Sequence, residues 1–291
     1  MPYRAVAGAL DAKHSVVLRE AGAGARAYLY AALVAEGPRT LCVVVPNEDR
    51  ARRWRAELVA WLGDDRVLAF PDRETMPYEL TAPSREHVSS RLLTLWSLSR
   101  QRVPAAVVAS LRALLQHTLS PADLASRSRA LHTGDRVSWH EVAEWLFAIG
   151  YEPVTEVAEP GTFARRGGIL DVFPISEERP ARVELAGEEI DSLRRFDPAT
   201  QRSLEPISEV VILPARELAL ERGIEAAEQL AARGWDRLDY GEATAPWRVF
   251  LDRMRAGGYA DGMEAFGPLV GARSSLLEHL PERSSLVLDE T

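Results

Sequence analysis

Cysteine and lysine are almost missing from this sequence: Cys42 and Lys13 are the sole examples of each. A lone cysteine can form no internal disulfide, and Cys42, inside the run Leu41-Cys42-Val43-Val44-Val45, reads as a small core residue. Any chemistry needing a lysine amine has one candidate. No apolar stretch approaches the roughly 18 residues of a membrane helix. Met1 to Asp11 carries no long apolar region behind a basic start, as a secretory signal would. A cytoplasmic protein without a membrane partner is expected. The histidines (His14, His87, His117, His132, His140 and His279) stand at no metal-ligand spacing. No Gly-x-Ser-x-Gly elbow is present. Neither a metal nor a cofactor is expected. The formal net charge of −8 argues against a surface built to hold duplex DNA, though it leaves room for a local basic face.

What is present points to two α/β-type domains. The 291 residues, 46% of them hydrophobic, suffice for two cores. Strand and helix signals alternate over the first part of the chain. Ser15–Arg19 is a short β-branched run, Ala25–Ala35 a helix, and Thr40–Val45 a buried strand. Asn47 caps a helix with Trp54, Leu58, Trp61 and Leu62 at helical spacing. Arg66–Phe70 is a strand, Arg85–Arg100 a helix and Ala105–Ala109 a strand. This alternation predicts a doubly wound parallel sheet. From about Ala125 to Pro214 the pattern turns to α+β. Ser138 and Glu141 read as a capping box for a helix burying Val142, Trp145, Leu146 and Ile149. Short strands follow at Thr155–Glu159, Ile169–Phe173, Ala181–Leu185, Ile190–Phe196 and Val210–Leu213. Helices return at Ile224–Arg233 and Ser274–Leu280, and Ser285–Thr291 reads as a buried strand. A strand with nothing after it suggests a fragment of a longer protein.

Two constellations invite chemistry. Gly22-Ala23-Gly24 lies between a predicted strand and a helix. Aligned to a phosphate-binding loop, it puts Arg19 at the first glycine, Ala25 at the lysine and Arg26 at the hydroxyl position. It therefore lacks both the phosphate-neutralising amine and the magnesium-holding hydroxyl. A dinucleotide fingerprint would use Gly22, Gly24 and Ala27, with Glu48 as the ribose acid. The alternative to both is a tight strand-to-helix turn. Asp289-Glu290 looks like a magnesium-binding acid pair, or else a solvated strand end. The second constellation is polar. Alternation places Arg182 and Glu184 on the strand face opposite Ala181, Val183 and Leu185, with Arg166 at the Gly167-Gly168 turn. Such a group reads either as a recognition patch, since guanidinium binds carboxylates bidentately, or as a solvated face with an Arg182–Glu184 pair. On either reading these side chains point away from the core, and truncating the arginines should leave folding unharmed.

The stretch Gly150 to Glu217 adds a resemblance. Its GY opening, EPGTFARRGGILDVFP, PARVEL, EEIDSLRRFDPATQRS and LPARE resemble the second domain shared by UvrB and the bacterial transcription-repair coupling factors (the Mfd family). FPDRETMPYE, SREHVSSRLLTLWSL and SLLEHLPERSSLVLDE agree more weakly, so that the likeness spans essentially the whole chain. The degenerate loop at Ala25 and Arg26, and a Pro71–Val88 segment too short for UvrB's DNA-wedging hairpin, favour the coupling-factor side. The resemblance implies a degenerate P-loop, RecA-like, nucleotide-free domain (1–124 and 215–291) interrupted by a UvrA-binding α+β domain (125–214). It implies a non-catalytic module that recruits UvrA through Arg166, Arg182 and Glu184. RNA polymerase, DNA, a C-terminal ATP-dependent translocase motor and an intramolecular C-terminal masking domain would belong to the rest of the full-length protein. Leu185 and Ala186 stand where the family usually has two aromatics. The alternative class is a nucleotide enzyme, an NAD-dependent oxidoreductase or an ATPase, using the Gly22–Gly24 loop.

Overall fold

The computed structural model describes residues 2–37, 39–76, 80–100, 105–234 and 245–289. In chain order the first half forms α1 (Pro2–Asp11), α2 (Ala23–Ala35), β1 (Thr40–Val45), α3 (Glu48–Leu62), β2 (Val67–Phe70), α4 (Arg85–Arg100), β3 (Ala106–Ser110), α5 (Leu111–Leu115), α6 (Pro121–Arg127) and β4 (Arg129–His132). There follow α7 (Trp139–Ala148), β5 (Glu152–Pro153), β6 (Thr162–Arg166), β7 (Ile169–Phe173), β8 (Ala181–Ala186), β9 (Glu189–Phe196), β10 (Ser203–Pro206), β11 (Glu209–Ile212), α8 (Gly223–Ala232), α9 (Ala245–Arg255) and β12 (Ser284–Leu288). The chain divides into two compact units, residues 1–73, 93–116 and 275–291, and residues 74–92 and 117–274. Helix α4 contributes its first half to the second unit and its second half to the first. By this division residues 117–124 and 215–274 cluster with the expected insertion.

The first unit is α/β. Its sheet is wholly parallel, in the order β12-β1-β3-β2. β1 and β3 are buried on both faces, as their unbroken apolar runs require. Leu41, Val43, Val45 and Val108 pack under α2 and α3, with Trp54 and Leu58. Asn47 caps α3 as expected, its side chain accepting from the Arg50 amide at 3.1 Å. Cys42 has no exposed surface, and burial pushes its thiol up to about 12.

The second unit holds two main cores. One lies beneath the sheet β10-β9-β8-β7-β6-β5, antiparallel except for β5–β6, with the β11–β4 ribbon and α7. The other is helical, built from α8, α9 and Met263, Val270 and Ala272. The segment leaving the sheet domain is anchored at Glu217. Its carboxylate accepts from Arg91 Nε on α4 at 3.0 and 2.9 Å, and from the Thr118 hydroxyl at 2.7 Å. Arg91 and Glu217 side chains are both fully buried. Nearby, Gly150 adopts φ +92°, and a Cβ there would meet Arg216 Cγ at 2.4 Å. Only glycine both takes that conformation and lets Arg216 lie so close.

Several expectations need correction. Ser15–Arg19 is not a strand; Val17 is largely exposed and pairs with no sheet edge among the described residues. Strand propensity describes a pleated, half-buried surface, and the segment has none. Thr155–Glu159 is a loop, not a strand. Ser138 starts α7 but forms no side-chain cap, whereas an unforeseen capping box, Ser275 with Glu278, starts a single 3-10 turn at Leu276–His279. That turn replaces the helix expected over Ser274–Leu280. Trp61 is exposed, edge-on to Tyr28 at 5.4 Å, rather than part of the buried stripe. β12 is an edge strand exposing Leu286 and Leu288, not a buried one, and Glu290 and Thr291 lie outside the described residues.

Removing one partner of a buried ion pair strands the other's charge. Glu217→Ala should therefore cost the second unit roughly 3–5 kcal/mol in urea unfolding. Arg52→Ala, which breaks an exposed pair with Asp49, should cost well under about 1 kcal/mol. Equal effects would contradict this account of the anchor.

Candidate functional site

Gly22 and Gly24 do not sit in the strand-to-helix turn that the phosphate-loop and dinucleotide readings expect. Gly22 is the N-cap of α2 at φ −63°, preceded by irregular chain rather than by a strand. A Cβ at either Gly22 or Gly24 would meet nothing within 4 Å. Nothing in the backbone requires glycine at these positions, so the tight strand-to-helix turn is also absent. Ala27 is fully buried in the core, and Glu48 sits in the first turn of α3, accepting from the Asp72 amide at 3.3 Å. Arg26 is the residue that the phosphate-loop alignment put at the hydroxyl position, and Asp289 belongs to the pair read as a magnesium-binding acid pair or a strand end. The two are joined directly. Arg26 Nη1 donates to both Asp289 oxygens at 2.7 Å, the Tyr30 hydroxyl donates to Oδ2 at 3.2 Å, and the Arg26 guanidinium lies 5.5 Å from the Trp54 ring centroid. Burial, then the neighbouring Asp289 charge, push the Tyr30 hydroxyl pKa well upward. Ala25, the would-be lysine, is exposed. The Asp289 charge is thus neutralised by the Arg26 guanidinium.

The arginine patch is built on the outer face of the six-stranded sheet. Alternation sends Ala181 and Val183 into the core and Arg182 and Glu184 outward. Register extends these positions into two rows. One row is Arg166, Ile169, Glu184 and Ser192; the other is Ala164, Asp171, Arg182 and Arg194. All three expected site residues therefore share a face. Gly167, at φ +62°, makes the β6–β7 turn that puts Arg166 at its rim.

Their partners differ from the expected ones. Arg182 does not pair with Glu184. It binds Asp171 bidentately, Nε to Oδ1 at 2.7 Å and Nη2 to Oδ2 at 2.9 Å. Its guanidinium lies 4.8 Å from the Phe196 ring centroid, and Nη1 donates to Gln201 O and Ser203 Oγ at 3.3 Å. The Asp171 hydrogen bonds, first among the causes, raise the Arg182 pKa further. Glu184 instead accepts from the Ser192 hydroxyl at 2.8 Å. Arg166 is exposed and donates to Thr155 O at 2.7 Å. The loop carrying Thr155 also carries Val157, which packs with Ala164, Phe173 and Phe196 on this outer face. Part of the face is thus a small second core, and the rest is open and polar. Ala186, at the far end of β8, is exposed.

Sequence reasoning missed Asp171 and Arg194. Asp171 sits in the apolar run ILDVF, and that polar interruption was the available signal. Its side chain is 2% exposed beneath Arg182. Arg194 belongs to an Arg-Arg pair whose two members face opposite ways; Arg195 bonds Glu177 at 2.7 Å, while Arg194 is exposed.

Because Arg182 covers a buried carboxylate, the expectation that its truncation leaves folding unharmed does not hold. Arg182→Ala should destabilise the second unit by about 2–3 kcal/mol, and Arg166→Ala by under about 0.5 kcal/mol, in denaturant titrations. A neutral Arg182→Ala would mean that Asp171 is satisfied in another way.

Comparison with known proteins places this face inside a recognised family. Residues 130–218 match the UvrB interaction domain. Three curated proteins named transcription-repair-coupling factor are similar over most of the chain. The one from Haemophilus influenzae is 32% identical over 87% of this chain and 22% of its own length. That from Myxococcus xanthus is 32% identical over 92% of the chain and 23% of its own. That from Escherichia coli is 30% identical over 93% and 23%. The chain therefore spans under a quarter of the length of these relatives.

Proposed function

The chain belongs with the transcription-repair-coupling factors and carries their UvrB interaction domain at residues 130–218, and from that premise we propose that it is a non-catalytic module recruiting UvrA to sites of stalled transcription. The observation that carries this reading is the open polar face, with Arg166, Arg182 and Glu184 brought together on β6 and β8, within the matched segment. A preorganised guanidinium beside an exposed one suits a partner surface bearing carboxylates. Arg182 is already held flat by Asp171 and Phe196, so it loses little freedom on binding. Ala186 offers no aromatic anchor, which shifts the weight of recognition onto these polar groups. In the full-length protein RNA polymerase, DNA, a translocase motor and a masking domain complete the system; these belong to the same proposal.

The nucleotide-enzyme alternative finds no support in the Gly22–Gly24 loop. Asp289, which that reading would give to magnesium, is engaged by Arg26, and no strand precedes the loop. Isothermal titration with ATP and with NAD should give no heat of binding, with or without magnesium. Saturable micromolar binding of either would overturn the non-catalytic reading.

Titration against UvrA tests the recruitment itself. Arg166→Ala should weaken binding by about 2 kcal/mol, roughly thirtyfold, with the fold unchanged. Undiminished affinity in Arg166→Ala and in the folded fraction of Arg182→Ala would remove this face as the UvrA site.

A further inference from the structure

We propose that Arg194 is a further UvrA-contacting residue, standing beside Arg182 in the same row. The inference rests on the reading that this face meets UvrA. It starts from an arrangement that sheet energetics disfavour. Arg182 on β8 and Arg194 on β9 are direct antiparallel partners on the same face. Such partners have Cβ atoms roughly 5 Å apart, and like charges there repel. The fold relieves half of the conflict. Asp171, next in the same row, gives both its oxygens to Arg182 and neutralises it. Arg194 receives no such relief. It is exposed, and among the described residues it makes no ion pair; its β10 partner in register is Pro206, which brings no charge.

The row therefore presents one net positive charge outward, and it is the charge on Arg194. Arg182 is held in place by Asp171, Phe196, Gln201 and Ser203, while Arg166 and Arg194 carry no carboxylate partner among the described residues and are the charges an incoming surface can still neutralise. They stand at two corners of the face, on β6 and β9, with Glu184 between them on β8. This pattern fits a partner surface with carboxylates opposite each arginine and a hydrogen-bond donor opposite Glu184. An exposed cation in a locally unfavourable position costs stability in the free protein, and the partner's carboxylate would remove that cost on binding.

The experiment measures UvrA affinity at several salt concentrations for the full chain and for Arg166→Ala, Arg194→Ala and Arg194→Glu. Arg194→Ala should weaken binding by roughly fivefold or more and lower its salt dependence; Arg194→Glu should weaken it further. The unfolding midpoint of Arg194→Ala should be unchanged or slightly raised, since a like-charge pair is lost, whereas a purely structural role would lower it. If Arg166→Ala weakens binding while both Arg194 variants bind normally, the proposal is wrong and the UvrA-binding face stands. If neither Arg166→Ala nor any Arg194 variant changes affinity, the face itself is not the UvrA site, and the proposal falls with it.

Discussion

The buried pair between Arg91 and Glu217 is the contact on which the second unit turns. Glu217 is the residue at which the chain leaves the sheet domain, and Arg91 lies on α4, far earlier in sequence. Thr118 joins the same carboxylate, and its backbone pairs with Ser274. One carboxylate thus ties together α4, the segment after α5 and the exit to the helical core. Hydrophobic burial on either side is non-directional and would tolerate several arrangements; a fully desolvated ion pair tolerates one. Arg85 and Arg216, both on Glu152, and the stacking of Arg216 over Tyr259 at 3.9 Å, hold the surrounding surface.

The same device recurs with different consequences. In the first unit, Arg26 and Asp289 neutralise each other. In the second, Arg182 and Asp171 neutralise each other on the sheet's outer face. Arg182 meets Asp171 with two nitrogens of its planar fork, one on each oxygen, whereas Arg26 reaches both Asp289 oxygens through Nη1 alone. Arginines without such a partner, Arg166 and Arg194, are left on the open side.

Much of the framework was legible because its periods are strong. β1, α4 and β7 to β9 appear within a residue or two of their expected bounds, and α3 starts at its expected cap. Alternation in ARVEL correctly divided core from surface. Failures came where local preference met no partner or met another one. Val16 and Val17 have strand propensity and no strand to pair with. Ser138 has the cap pattern without the cap bond. Trp61 lies at helical spacing, yet the neighbouring helix offers Tyr28 at the surface instead of a core.

By itself, then, the sequence determined the α/β class and the outward face of β8, which follow from periodicity, and the family, which follows from its ordered motifs. Only the tertiary structure decided which charges are spent and which remain. Asp171 meets Arg182 across two strands, Arg26 meets Asp289 across almost the whole chain, and Arg91 meets Glu217. Ion pairing depends on distances set by strand register and helix packing, and on burial that desolvates both partners. Neither quantity is a property of any local run of residues.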